Sequence, residues 1–206
     1  VGDGSGLTGA GGLQSITEIS KTGYRRSDAN AANYGNIGEG AMDLSFSNAS
    51  SITYGAFGSY AFATGLNTTA KGAASTAMGW KTIAYGNYST AMGYNTNAGG
   101  YYSTAIGSGT IAGNYSTSMG YNTSAFGNYS TAMGNSTKAD GYNSTAMGLG
   151  TIASDYGSLV IGSYNSAGSS VSTDGSATSF DTDNTAFVIG NGTDDGTGKS
   201  DAFKVL

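Results

Sequence analysis

The chain has 206 residues, with 8 Lys plus Arg against 13 Asp plus Glu, a net charge of −5, 36 glycines and no proline, cysteine or histidine. An acidic balance without a basic stripe excludes nucleic acid as a partner, and no apolar run of about 18 residues offers a membrane span. Without His or Cys there is no Ser-His-Asp or Cys-His catalysis and no ordinary zinc site, so neither an enzyme nor a cofactor or metal is expected.

Residues 1–33 lie outside any repeat. Glycines through Gly9 read as a flexible lead-in, and weak alternation from Leu13 to Ile19 predicts one short strand. Lys21, Arg25 and Arg26 form a basic cluster that reads as a solvated loop. From Tyr34 a degenerate pattern begins. Met42, Leu44 and Phe46 alternate, and are expected to plug the open end of whatever follows, because stacked repeats need atypical terminal units. The regular part starts near Tyr54.

The body of the chain repeats Ser-Thr-Ala-Met-Gly, beginning at Ser75, Ser89, Ser103, Ser116, Ser130 and Ser144, with an altered copy at Ser158. The steps are 14 residues except for one of 13, from Ser103 to Ser116. Between copies runs Thr-x-Ala-x-Gly, as in Thr82-Ala84-Gly86 and Thr96-Ala98-Gly100. A short fixed period with small residues in fixed places marks a stacked solenoid. Alternation in strands puts Ser75, Ala77 and Gly79 on one inward face, and Thr82, Ala84 and Gly86 on another. Both faces carry only small groups, which predicts a thin all-β roll with two short strands per turn. About eight turns at ~4.8 Å per strand give a rod on the order of 40 Å long. The missing residue of the 13-residue turn falls at a corner, so that turn should be tightened but remain in register.

The outward face of the first strand carries Met78, Met92, Ile106, Met119, Met133, Met147 and Ile161, beside a column of Thr from Thr76 to Thr145. Burying one such apolar side chain is worth roughly 1.5–3 kcal/mol, and an uninterrupted apolar stripe marks an interface. These seven residues are therefore the candidate seam between copies of the chain. Tyr88, Tyr102, Tyr115 and Tyr129 form a corner column. They are a candidate ligand surface, and sealing of corners or subunit grooves is the plainer role for them.

After Ile161 the repeat fades. Residues 168–186 read as a loop, and the segments 186–190 and 202–206 as two strands of a hairpin capping the roll, with turn chemistry between them. Asp174, Asp181, Asp183, Asp194 and Asp195 could hold calcium through oxygen. They lack the glycine and distal Glu of an EF-hand loop, and read as solvated loop residues. Triplets of Asn-x-Ser/Thr at Asn87, Asn114, Asn128 and Asn143 follow from composition, not from a modification signal.

Over roughly residues 54–168, the pattern Ser-x-Ala-Met/Ile-Gly followed by Thr-x-Ala-x-Gly resembles the head repeat of YadA-like trimeric autotransporter adhesins. The resemblance implies a left-handed parallel β-roll, associated as a homotrimer into a rigid head that binds an extracellular protein or glycan at a bacterial surface. Heptad stalk and membrane anchor are not seen, so the chain is expected to be a fragment or a relative such as a phage tail fibre. The expected division is a lead-in over 1–33, the roll over 34–168, and a loop with its hairpin over 169–206. Rival expectations are a structural spacer in a filament or tail fibre, and an ice-binding solenoid using the Thr column.

Overall fold

The computed structural model describes residues 12–48, 50, 52–166, 176–194 and 196–206. Expectations for Asp174 and Asp195 lie outside the described residues. The fold is a β-solenoid of about ten turns, with one short 3-10 turn at Ala31–Asn33 among the described residues.

Each regular coil contributes a five-residue strand, such as Thr76–Trp80, and a two-residue strand, such as Ile83–Ala84. Long strands of successive coils pair in parallel, with like on like: Thr76 with Thr90, Ala77 with Ala91, Met78 with Met92. Short strands stack likewise, so the described residues form one sheet of 13 strands and one of 8. Between the sheets lie Ala77, Ala84, Ala91, Ala98 and Ala105, all fully buried. Each buried methyl contributes on the order of 0.8 kcal/mol, and the sum over many coils replaces a core of large aliphatics. The motif Ser residues and the Thr column from Thr82 to Thr151 are buried beside them.

Gly79 corrects one expectation, because it is exposed and does not point inward. The column turns out of strand alternation there, with φ near 121–126° at Gly79, Gly93 and Gly107. A Cβ on Gly93 would lie 2.0 Å from the carbonyl oxygen of Gly107. Glycine is thus required for conformation and close stacking, not for a small interior group.

Corners use left-handed residues twice per coil, as at Tyr88 (φ 58°) and Asn95 (φ 51°). The motif serine locks the first corner: the Ser89 hydroxyl donates to the Gly86 carbonyl at 2.6 Å, and Ser103 to Gly100 at 2.7 Å. In the 13-residue coil Ser116 donates instead to Gly127 of the next coil, at 2.7 Å. Register survives the deletion, with Thr104 opposite Thr117 and Ala112 opposite Ala125.

The two ends differ from expectation in an informative way. Leu13–Glu18 and Lys21–Arg26 form an antiparallel hairpin, turned by Ile19 and Ser20 with φ of 48° and 61°, where one strand was expected. Arg25 is not in a solvated loop. It is 3% exposed, pairs with Asp43 at 3.3 Å and Glu18 at 3.2 Å, and donates to the Gly35 carbonyl. Met42 and Phe46 do not plug the roll, being 37% and 51% exposed. The inward positions of their strand are Asp43 and Ser45, joined by a 2.6 Å hydrogen bond. Tyr34 closes the site, donating its hydroxyl to the Ser45 carbonyl and accepting from the Ser47 N–H, and burial pushes its phenol above the usual range.

At the far end Phe187–Asn191 adds to the long sheet in parallel, and Asp201–Val205 returns antiparallel to it with a bulge at Ile189/Gly190. The short sheet stops at Ile152–Ala153. There the Asn165 side chain accepts from the Ile152 N–H at 2.8 Å and donates to its carbonyl at 3.1 Å.

Candidate interaction faces

The outward face of the long sheet presents three parallel columns. The first is Thr76, Thr90, Thr104, Thr117, Thr131 and Thr145. The second is the Met/Ile stripe, whose seven members all stand outward and half-buried, each stacked on its equivalents in the coils above and below. Strand pairing extends this stripe beyond the sequence motif, through Thr64 to Leu44 at one end and to Ile189 at the other. Those additions were hidden because no copy of the motif marks them in the sequence. Beyond the glycine bend a third column reads Trp80, Tyr94, Ser108, Tyr121, Asn135 and Leu149, with Trp80 and Tyr94 in edge contact at 5.1 Å.

The tyrosine corner column lies apart from this face. Tyr88, Tyr102, Tyr115 and Tyr129 stack ring on ring with centroids 4.8, 5.4 and 4.8 Å apart and planes within 16° of parallel. The widest gap, between Tyr102 and Tyr115, falls at the shortened coil. All four rings are 46–57% exposed, so one flank of the ladder faces solvent. Each ring is aimed by a left-handed backbone that a β-carbon residue adopts at some cost.

Past Tyr129 the column continues as Asn143 and Gly157, and the segment after residue 175 packs alongside. The carbonyls of Ala177 and Ser176 accept from the backbone N–H groups of Tyr142 and Tyr156. In the earlier coils that role belongs to side chains: Asn87 accepts from Ala73 and Asn114 from Tyr101. Asn87 and Asn114, two of the four triplet asparagines, thus serve the corners. Asp155 is buried and accepts from the Thr185 N–H at 2.9 Å, which ties the inserted segment to the roll.

Among the described residues, the acidic side chains of the C-terminal third do not converge. Asp181 accepts from the Asp183 N–H, and Asp194 from those of Gly196 and Gly198, which hold its carboxyl below the usual range. Among the described residues no group of three or more acidic side chains is placed to hold a metal. No helix among them is long and apolar enough to cross a membrane, which says nothing about β-barrel strands.

Stacked 14-residue coils with Ala inside, Met outside and glycine at each bend match the YadA head domain repeat (2 copies) over residues 56–82, 70–96, 84–110, 112–137 and 139–165. The chain belongs to the YadA head family. No curated protein matches it. Within this YadA head the family match ends at residue 165, so the hairpins at both ends are features of the chain beyond the repeat.

Proposed function

We propose that the chain is a non-enzymatic adhesin head, displayed outside a bacterial cell, in which three left-handed rolls associate along the Met/Ile stripe. The observation that supports this reading is the stripe itself. Seven motif residues from Met78 to Ile161, continued by Ile189 and, across Thr64, by Leu44, make an outward apolar ridge along the long sheet. A roll on its own leaves that ridge facing water, and a seam of like ridges removes it. Family membership supports both the trimer and the surface role. The Thr column shares the face of the ridge, so a trimer would withdraw it from the open water an ice-binding lattice needs.

In this assembly the ligand-contacting surfaces are those away from the seam, among them the ladder from Tyr88 to Tyr129. Its partner would be an extracellular protein or glycan.

The test is Met119→Asp with mass measured by light scattering. Three carboxylates brought together without partners in an apolar seam are strongly unfavourable, so the variant should be monomeric while its circular dichroism stays that of a β-roll. A variant that remains trimeric and equally stable overturns the assignment of the seam.

A further inference from the structure

On the short-strand sheet, opposite the ridge, an open groove of about 540 Å³ lies where the loop before Tyr54 overhangs the first regular coils. Its floor includes Thr69 and Ile83, and Tyr54, Phe57 and Tyr85 contribute aromatic surface. Lys71 and Lys81 also line it. These are two of the three cations between Tyr54 and Ser166, the third being Lys138. No carboxylate lines the groove, and neither lysine forms an ion pair among the described residues. The Lys71 ammonium sits 4.3 Å above the centre of the Tyr85 ring, which positions the charge without neutralising it.

We infer that this groove binds a sulfated glycan. This role for the groove, a site distinct from the tyrosine ladder, rests on the roll being a binding head. In a chain of net charge −5, a groove with two cations and no anion selects a negative ligand. Both cations are lysines, compact point charges with rotatable donors. That suits tetrahedral sulfate, whereas planar carboxylate is matched best by the guanidinium fork.

The surroundings separate a glycan from other polyanions. The groove lies on a sheet face, where the backbone N–H groups of Thr69, Ile83 and Tyr85 donate to Thr82, Thr96 and Ala98 of the next coil. An acidic peptide recognised by strand addition has no free edge here. Lys71 covers one ring face of Tyr85, which leaves fewer stacking platforms for the bases of a nucleic acid. A hydroxyl-rich chain needs neither. The exposed Asn95 amide offers donors and an acceptor to hydroxyls, and Phe57 and Tyr54 offer apolar walls to the CH faces of sugar rings.

The experiment titrates the whole chain, in its native oligomeric state, with a heparin-derived hexasaccharide by calorimetry at two salt concentrations. The neutral comparator is a dextran oligomer of equal length, and the charged comparators are hexaglutamate and a single-stranded hexanucleotide. Binding of the heparin hexasaccharide alone, weakened by salt, is expected. The double variant Lys71→Gln/Lys81→Gln should lower affinity at least tenfold with an unchanged melting temperature, and Tyr85→Ala should lower it several-fold. Lys138→Gln on a distant coil should bind as the parent does. Absence of heparin binding, full affinity in the double variant, or equally tight binding of hexaglutamate or the oligonucleotide overturns the inference. Trimer mass, measured on the same samples, reports separately on the adhesin-head reading.

Discussion

Arg25, Asp43, Ala63, Ala77, Ala91, Ala105, Ser118, Ala132, Ala146, Val160 and Val188 occupy one inward column, strand by strand, from the first hairpin to the last parallel strand. In the middle the column is methyl groups and one hydroxyl. At one end it becomes an ion pair, and at the other it widens to valine. A coil with identical neighbours has a fixed sheet separation and tolerates only the side chain that fits it. A terminal coil has no further neighbour, and larger or charged groups fill what would otherwise be an open end. Repetition therefore dictates smallness in the middle, and loss of repetition permits chemistry at the ends.

Asp43→Ala gives the sharpest test of that contrast. It leaves the buried Arg25 guanidinium with Glu18 as its one carboxylate partner among the described residues, and breaking a buried pair from one side costs about 3–5 kcal/mol. Hydrogen exchange should show early opening of the hairpin and first coils, with the central coils little changed. A loss below about 1 kcal/mol would mean that the ion pair does not hold that end.

Ala105→Val asks whether the valine tolerated at Val160 fits the centre. Overpacking between fixed sheets should cost about 1–3 kcal/mol, read from denaturant unfolding. A neutral result would remove the distinction between middle and end.

The hydroxyls of the middle sharpen it further. The Thr110 hydroxyl is buried without a hydrogen-bond partner, whereas that of Thr123 meets the Ser118 hydroxyl at 2.7 Å. Thr123→Val should therefore cost about 1–3 kcal/mol by orphaning Ser118, while Thr110→Val should be near neutral or stabilising. Equal losses at both positions would contradict this account. The exposed ladder is probed by Tyr102→Ala. Removing the ring between Tyr88 and Tyr115 should cost about 0.5–1.5 kcal/mol for each stacked pair lost and should alter the near-ultraviolet dichroism of the ladder.

How far the sequence spoke depended on whether the period held. The Ala column, the Met/Ile ridge and the register across the shortened coil follow from 14-residue spacing and strand alternation alone. Asp43 could not be placed that way, because it precedes its column neighbour Ala63 by 20 residues, and Arg25 precedes Asp43 by 18. Ile189 stands two full periods after Ile161, but no copy of the motif lies between them to carry the column across. Gly79 was misdirected because alternation presumes an extended backbone, and a φ of 121° breaks that premise. The groove stayed hidden because Tyr54, Phe57, Lys71 and Lys81 come from neighbouring coils, and only the path of the preceding loop brings them around one space.

The Asn165 amide, bonded to both backbone groups of Ile152, has a consequence for how the protein behaves in a crowd. A stack of identical parallel coils is a template on which a further molecule could crystallise its own chain, one layer at a time. At Ile152 the template is already occupied by a side chain that mimics the next layer. Growth from that face is terminated within the molecule's own sequence, which lets a rod built by repetition remain a rod of fixed length.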